Sequence, residues 1–153
     1  MAGGFSINID NIEIFKEFLI KKYNSLDIKK GNFKTLYLDS IILPTALNAK
    51  FYNNIDVLSP FGTGNPEPKF LIEDLKLANS NIVGNRHIKA IFYSKNNNVV
   101  KAIAFNSIGT VLESYLVKNN KSSMSIAGTL TSNNYNGKNN IEFVINDISV
   151  NNI

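Results

Sequence analysis

The order of the apolar segments after residue 70 most constrains what this chain can fold into. Alternating apolar and polar residues predict strands, and one stripe with a helical repeat predicts a single helix among them. Asn136-Gly137 indicates a hairpin turn between the last two strands. Five strands with one helix after the third is the order of an OB-fold barrel. The predicted strands are Phe70–Ile82, Ile88–Ser94, Val99–Asn106, Ser125–Thr131 and Ile141–Val150, with the helix at Ser107–Lys118.

The beginning of the chain predicts a separate piece of structure. Phe5–Ile9 alternates like a strand, and Asp10 with Glu13 resembles the capping box of a helix. Two such elements cannot bury a core by themselves. We therefore expect residues 1–30 to be a strand–helix fragment of a truncated α/β domain, ending near Lys29–Asn32. The apolar face of the predicted helix consists of Ile12, Phe15, Leu19 and Leu26.

Residues 31–69 predict a connecting segment packed on the barrel, which itself spans 70–153. A strand is expected over Phe33–Leu43 and an amphipathic helix over Thr45–Leu58. They lead into Ser59–Pro68, where three prolines fix φ and two glycines allow unusual backbone angles. The loop is therefore stiff and specifically shaped. The predicted fold class is mainly β with α, a five-stranded OB-fold barrel preceded by the fragment.

Charge and composition limit the classes of partner that we expect for this chain. The net charge of +4 and the isoelectric point of about 9.2 favour polyanions. The excess lies in the barrel, because residues beyond 70 contain 8 Lys+Arg against 5 Asp+Glu, whereas those before contain 8 against 7. The absence of cysteine excludes disulfides and thiolate sites and makes a reducing cytoplasm the expected compartment. No apolar run approaches the ~20 residues of a membrane span, so no membrane partner is expected.

The residue types that carry catalysis are scattered. His87 is the only histidine, and the aspartates stand singly along the chain. Gly62–Asn65 is not followed by the lysine and hydroxyl of a phosphate-binding loop. Acidic residues beside strands are more often solvated than catalytic, which applies to Asp39, Glu73 and Asp74. We predict no catalytic residue, no metal site and no cofactor in this chain.

What remains is a binding surface on the predicted barrel. Because side chains alternate along a strand, Ile88, Ala90 and Phe92 are predicted to face the core and their neighbours the outside. Cations follow phosphates, and rings stack on unpaired bases for about 1–3 kcal/mol each. A lysine on a strand is commonly only a solubilising charge, so the prediction rests on the whole group of binding residues rather than on any one of them. The predicted nucleic-acid-binding residues, on this face and its flanking loops, are Arg86, His87, Lys89, Tyr93, Lys101, Phe105, Tyr135 and Lys138.

Several segments resemble one family in the same order. Pro60–Pro68, Pro-Phe-Gly-Thr-Gly-Asn-Pro-Glu-Pro, is similar to the signature loop of the RecJ family, the single-strand-specific 5′→3′ DNA exonucleases. Met1–Ser6 resembles the end of a Gly-Gly-His-rich motif in that family's DHH-associated domain. The further landmarks are Val83-Gly84, His87-Ile88-Lys89, Ala102–Phe105, Asn134–Gly137 and Asn146–Ile148, which resemble the family's OB domain.

The resemblance implies the C-terminal region of such an enzyme, with residues 1–30 as the remnant of the DHH-associated domain. Family catalysis uses manganese or magnesium held by an N-terminal DHH domain, whose motifs this sequence lacks. No catalytic residue can be carried over, so the chain is expected to be inactive alone and to hold DNA for a separate catalytic DHH chain. A role in DNA repair and recombination follows. For Pro60–Pro68, a rigid interdomain hinge is favoured over a wall of the DNA path.

Three functions remain open at this point. The first is capture of single-stranded DNA. The second is a protein-interaction OB module that binds an acidic peptide, such as the tail of a single-strand-binding protein. The third is a free-standing nuclease, which the missing metal ligands disfavour.

Overall fold

The computed structural model describes residues 4, 6–25, 35–117, 122–135 and 138–150. The chain divides into two compact units, residues 1–36 and 37–153. In the first unit, a 3₁₀ turn over Ile9–Asn11 leads into helix α1, Ile12–Ser25. No helix in the described ranges is long and apolar enough to cross a membrane.

The start of the first unit differs from the prediction. The strand expected over Phe5–Ile9 is wrong where the chain is described, because residues 6–8 have no regular structure and Ile9 begins the 3₁₀ turn. The Asn8 side chain accepts a hydrogen bond from the Asp10 N–H at 3.2 Å, so the chain turns there instead of extending. The predicted helix is present, although Leu26 of its apolar face lies outside the described residues.

The second unit contains a closed β-barrel. Its strands and the one before it are β1 Ser40–Ile41, β2 Phe70–Val83, β3 His87–Ser94, β4 Val99–Ala104, β5 Met124–Tyr135 and β6 Lys138–Val150. β2 pairs with both β3 and β5, and this second pairing closes strands β2 to β6 into a ring. β4 and β6 are parallel, whereas the other neighbours in the ring are antiparallel. This closed five-stranded mixed barrel is an OB fold, as predicted.

The barrel interior is filled by alternate residues of its strands. Phe92 and Phe143, from β3 and β6, are its largest side chains, and both are fully buried. Burying such side chains removes apolar surface from water and supplies most of the stabilisation of a domain this size. The other large and fully buried side chains are Ile72, Leu75, Ile88, Val100, Leu116, Met124 and Ile126.

A helix covers each end of the barrel. Helix α2, Ala49–Asp56, packs the Phe51 ring against Phe70 at the start of β2, with ring centroids 5.7 Å apart. Helix α3, Val111–Val117, lies near the other end of β2, where the Ser80 hydroxyl donates to the Leu116 carbonyl. An uncovered barrel end would leave core side chains in water, so the two helices complete the core.

Both helices begin later than the apolar pattern predicts. The segment predicted as a helix from Thr45 opens with a 3₁₀ turn, and α2 starts only after Asn48, whose side chain accepts from the Phe51 N–H at 3.0 Å. The helix predicted from Ser107 starts after Gly109, which has a φ of +78° that no right-handed helix allows. Local caps and turns therefore decide where these helices begin.

The segment before the barrel is less regular than predicted. Of the strand expected over Phe33–Leu43, the described part (residues 35–43) contains only β1, which pairs in parallel with the start of β2. Asp39 fixes this junction, because its carboxylate accepts from the Lys69 N–H and its own N–H donates to the Lys69 carbonyl, each at 2.8 Å.

The Pro60–Pro68 loop is held in shape by its own asparagine. The Asn65 side-chain amide donates to the carbonyls of Leu58 and Pro60 at 2.9 and 3.0 Å. Gly62 and Asn65 also exchange backbone hydrogen bonds across a tight turn, in which Gly64 has a φ of +91°. These bonds give the loop a specific shape; its stiffness stays a prediction.

Close packing at Gly128 allows β5 and β6 to lie against each other. The pairing of β5 with β6 shifts register between Ala127 and Gly128, and such a bulge bends a strand. A Cβ atom at Gly128 would overlap the carbonyl oxygen of Val144 and touch the Phe143 ring. Only glycine therefore fits here without moving backbone.

We expect Gly128→Ala to destabilise the barrel by about 2 kcal/mol or more, because backbone on β6 must shift to admit the methyl group. Gly62→Ala is the matched control, since a Cβ at Gly62 meets nothing within 4 Å. Urea unfolding followed by circular dichroism measures both variants. Equal stability of the two would contradict the packing at Gly128.

Candidate nucleic-acid interface

The side chains of β2, β3 and β4 that point away from the core form one continuous surface. Ile88, Ala90 and Phe92 are packed in the core, so the intervening residues of β3 face outward. Cross-strand pairing aligns these residues in rows. The rows are Asn81–Lys89–Ile103, Asn79–Ile91–Lys101 and Lys76–Tyr93–Val99, and with His87 and Phe105 they are called the outer face below.

Five predicted site residues meet on the outer face. Lys89 and Lys101 lie on neighbouring strands, because Lys89 pairs with Ile103 and Lys101 with Ile91. The exposed fractions of Phe105 and Tyr93 are 51% and 44%, so both rings are accessible. His87 completes this group beside Phe105, and the role of the five in binding stays a prediction.

His87 and Phe105 form a ring pair at one end of the outer face. Their ring centroids are 5.2 Å apart with the planes at 78°, an edge-to-face arrangement. Nδ1 of His87 accepts a hydrogen bond from the Asn106 N–H at 2.9 Å. Both rings are therefore oriented before any ligand arrives.

Arg86 lies in the turn between β2 and β3, at the same end. Gly84 and Asn85 of this turn have φ values of +59° and +57°, which glycine and asparagine tolerate best. The Arg86 carbonyl accepts from the N–H groups of Ser107 and Ile108 at 2.9 and 3.3 Å, which ties the turn to the segment before α3. The exposed Arg86 residue thus stands on a braced turn.

Tyr135 and Lys138 lie opposite each other where β5 and β6 meet their connecting turn. This places their backbone at the tip of the β5–β6 hairpin, as the prediction requires. Their side chains, and the Asn136-Gly137 turn between them, lie outside the described residues.

Glu142, on β6, borders the outer face, and the sequence analysis does not predict it. On β6 it alternates with the buried Phe143, and the parallel pairing of Phe143 with Ala102 makes Glu142 the neighbour of Lys101. Its Oε1 atom lies 3.6 Å from Nζ of Lys89. Strand alternation alone could have assigned Glu142 to an outward face, but only the β4–β6 pairing brings it to Lys89.

Lys76 is a second residue that the sequence analysis misses. It pairs with Tyr93 at the end of the outer face away from Phe105. A register shift in β2 between Ile72 and Leu75 interrupts strict alternation, so counting from Phe70 assigns Lys76 to the wrong side. A groove of about 600 Å³ opens there, lined by Asp74, Lys76, Tyr93, Ser94, Lys95, Asn97 and Ser123.

The charges at this groove are partly compensated. Nζ of Lys95 lies 2.7 Å from a carboxylate oxygen of Asp74, and both side chains are exposed. Lys95 therefore offers less positive potential to a ligand than Lys76. Within the described part of the chain, no three His, Cys, Asp or Glu side chains are grouped to hold a metal ion.

The hydrogen bond from the Asn106 N–H predicts the neutral tautomer of His87. Because Nδ1 accepts, the proton of the neutral ring must reside on Nε2. Long-range proton–nitrogen NMR spectra distinguish the two tautomers, and a chain with one histidine needs no further assignment. A spectrum with the proton on Nδ1 at high pH would contradict this geometry.

Two crystal structures of RecJ from Thermus thermophilus resemble the chain. The complex with Mg²⁺ has a TM-score of 0.61 and 22% identity, and the match covers 95% of this chain and 21% of that protein. The complex with Mn²⁺ has a TM-score of 0.60 and 22% identity, covering 98% and 21%. The chain thus spans about a fifth of the length of these structures, and at this identity the likeness shows the fold alone.

Sequence comparison identifies the family. No curated protein sequence matches the chain. The profile described as the RecJ OB domain matches residues 38–147, more than two thirds of the 153 residues, including β1, α2, the Pro60–Pro68 loop and nearly all of the barrel. The family profile and the closed barrel lead to the same conclusion: this chain belongs to the RecJ OB domain family.

Proposed function

We propose that this chain is the single-stranded DNA-binding C-terminal region of a RecJ-like 5′→3′ exonuclease, and that the outer face is its DNA-binding surface. The observation that carries the proposal is the presence of cations and accessible rings on one continuous sheet face. Lys89 and Lys101 supply the cations there, and Tyr93 and Phe105 supply the rings.

The arrangement of side chains on the outer face suits the binding of single-stranded nucleic acid. Tyr93 and His87 are six residues apart on β3, which corresponds to about 20 Å at the usual rise of a strand. Rings stand near both ends of this distance, and lysines lie between them. Bases can stack on the rings while phosphates approach the lysines, and neither contact requires a particular base. The surface therefore supports binding without strong sequence preference.

Asparagines extend the polar part of the outer face. Asn79 and Asn81, on β2, are exposed and stand in the rows of Lys101 and Lys89. Their amide groups can donate to base edges or phosphates as well as accept from them. Arg86, at the end of the outer face, adds a guanidinium suited to bidentate phosphate contacts.

Hydrolysis is assigned to a part of the enzyme other than this region. The chain spans about a fifth of the RecJ structures it resembles, and these contain Mg²⁺ or Mn²⁺. In the proposed enzyme, a separate DHH segment holds such a metal and cleaves the phosphodiester bond. The residues of this chain hold and orient the strand that is cut.

Phe105→Ala should weaken binding of an unstructured oligothymidylate by about fivefold or more, since a stacked base contributes about 1–3 kcal/mol. Phe18→Ala is the matched control, because Phe18 lies on α1 and is 57% exposed, close to the 51% of Phe105. Fluorescence anisotropy at low salt measures both. Equal losses would argue against stacking on Phe105, and no binding by the unaltered chain at micromolar concentration would refute the proposed function.

Lys101→Gln should reduce the salt dependence of binding. Loss of one phosphate contact changes the slope of log K against log salt by about 0.7 for a single strand. Lys21→Gln is the charge-matched control, because Lys21 is exposed on α1 and belongs to the other compact unit of the chain. Identical slopes for the two variants would show that Lys101 does not contact a phosphate.

The acidic-peptide hypothesis makes a different prediction for the same variants. A peptide that uses the lysines alone would lose affinity with Lys101→Gln and retain it with Phe105→Ala. Displacement of the oligonucleotide by such a peptide would indicate one shared site. Peptide binding without DNA binding would favour this second function.

A further inference from the structure

The contact between Lys89 and Glu142 crosses a whole strand of the outer face. Lys89 belongs to β3 and Glu142 to β6, and β4 lies between these strands in the sheet. Nζ of Lys89 and Oε1 of Glu142 are nevertheless only 3.6 Å apart. The two side chains must therefore reach toward each other over β4.

Ile103 of β4 shows the effect of this crossing. It points to the outer face, because the flanking Ala102 and Ala104 are packed in the core. It pairs directly with Lys89, and its neighbour on β6 is Val144. Although it lies on an outer surface, Ile103 is only 7% exposed. Such low exposure on an outer surface requires cover from neighbouring side chains, and the Lys89–Glu142 pair spans β4 beside Ile103.

The pair also removes positive charge from the centre of the outer face. A phosphate that approaches Lys89 meets the Glu142 carboxylate beside it, and the two anions repel each other. The Lys89 side chain is 44% exposed, whereas that of Glu142 is 14% exposed. Ion pairs with an exposed partner contribute little free energy, so Lys89 can exchange Glu142 for a phosphate.

From these contacts we infer that Glu142 sets the affinity of the outer face for single-stranded nucleic acid by competing with phosphate for Lys89. The inference rests on the proposed function and adds an acidic residue that limits binding. When single-stranded nucleic acid binds, Lys89 exchanges its contact with Glu142 for a contact with a phosphate, and Ile103 becomes accessible to a base. Glu142 is thus an affinity-determining residue, with its effect transmitted through Lys89.

Replacing Glu142 by glutamine tests the inference with little change in shape. Glu142→Gln should bind oligothymidylate about threefold to tenfold more tightly than the unaltered chain. Its slope of log K against log salt should steepen by about 0.7, the value for one additional phosphate contact. Glu67→Gln, in the exposed part of the Pro60–Pro68 loop, is the charge-matched control and should change affinity less than about twofold.

A Lys89→Gln chain distinguishes competition for Lys89 from general repulsion between the Glu142 carboxylate and the phosphates. In a Lys89→Gln chain, the added Glu142→Gln substitution should give no more than the control effect, because the competed cation is gone. An equal gain with and without Lys89 would overturn the inference, as would a Glu142→Gln affinity no higher than that of Glu67→Gln. If neither the unaltered chain nor any variant binds, the proposed function and this inference are both overturned. If the unaltered chain binds and Glu142→Gln binds equally tightly, only the inference is overturned.

An NMR titration of the unaltered chain keeps the inference testable if a variant does not fold. The side-chain carboxyl carbon of Glu142 should shift as oligothymidylate saturates the chain, because its contact with Lys89 is lost. The carboxyl signal of Glu67 should stay in place. A Glu142 signal that does not move at saturation would contradict the exchange of partners.

Discussion

The pairing of β2 with β5 is the constraint on which the rest of the structure depends. It brings Phe70 opposite Gly128 and Ile72 opposite Ile126, and it turns an open sheet into a closed ring. The closed ring encloses one apolar interior and positions the ends that α2 and α3 cover. It also gives β3 and β4 a fixed curvature, so the outer face is a preformed surface. Gly128 lies at this closure, and there the β6 backbone occupies the space that a side chain would need.

Much of the barrel follows from the sequence, because β3 and β4 pair without a register shift and their side chains alternate between core and surface. The predicted Ile88–Ser94 strand differs from β3 only by the addition of His87. Prediction fails where a polar group satisfies the backbone locally, as Asn8 does in the segment expected to be a strand. It also fails for helix starts, which Asn48 and Gly109 decide against the apolar pattern. Such local choices depend on single hydrogen bonds that periodicity does not reveal.

The residues of the candidate site also divide into those that alternation along a strand predicts and those that it does not. Lys89, Lys101 and Tyr93 could be assigned to one face by counting along strands that run without a bulge. Lys76 could not, because the register shift in β2 between Ile72 and Leu75 interrupts the count from Phe70. Glu142 required the parallel pairing of β4 with β6, which joins segments separated by α3 and β5. The cations of this face can thus be predicted more readily than the anion that lies beside them.

The backbone hydrogen bonds of Arg86 connect the proposed binding surface to the core of the barrel. Its carbonyl is shared by the N–H groups of Ser107 and Ile108, just before the helix that buries Leu116. A change that loosens this helix would also release the turn that carries the guanidinium. In such a variant, the Arg86 turn would lose its support even though every surface residue is intact. A loss of the proposed DNA binding would then originate in the core and be transmitted through residues 107–116.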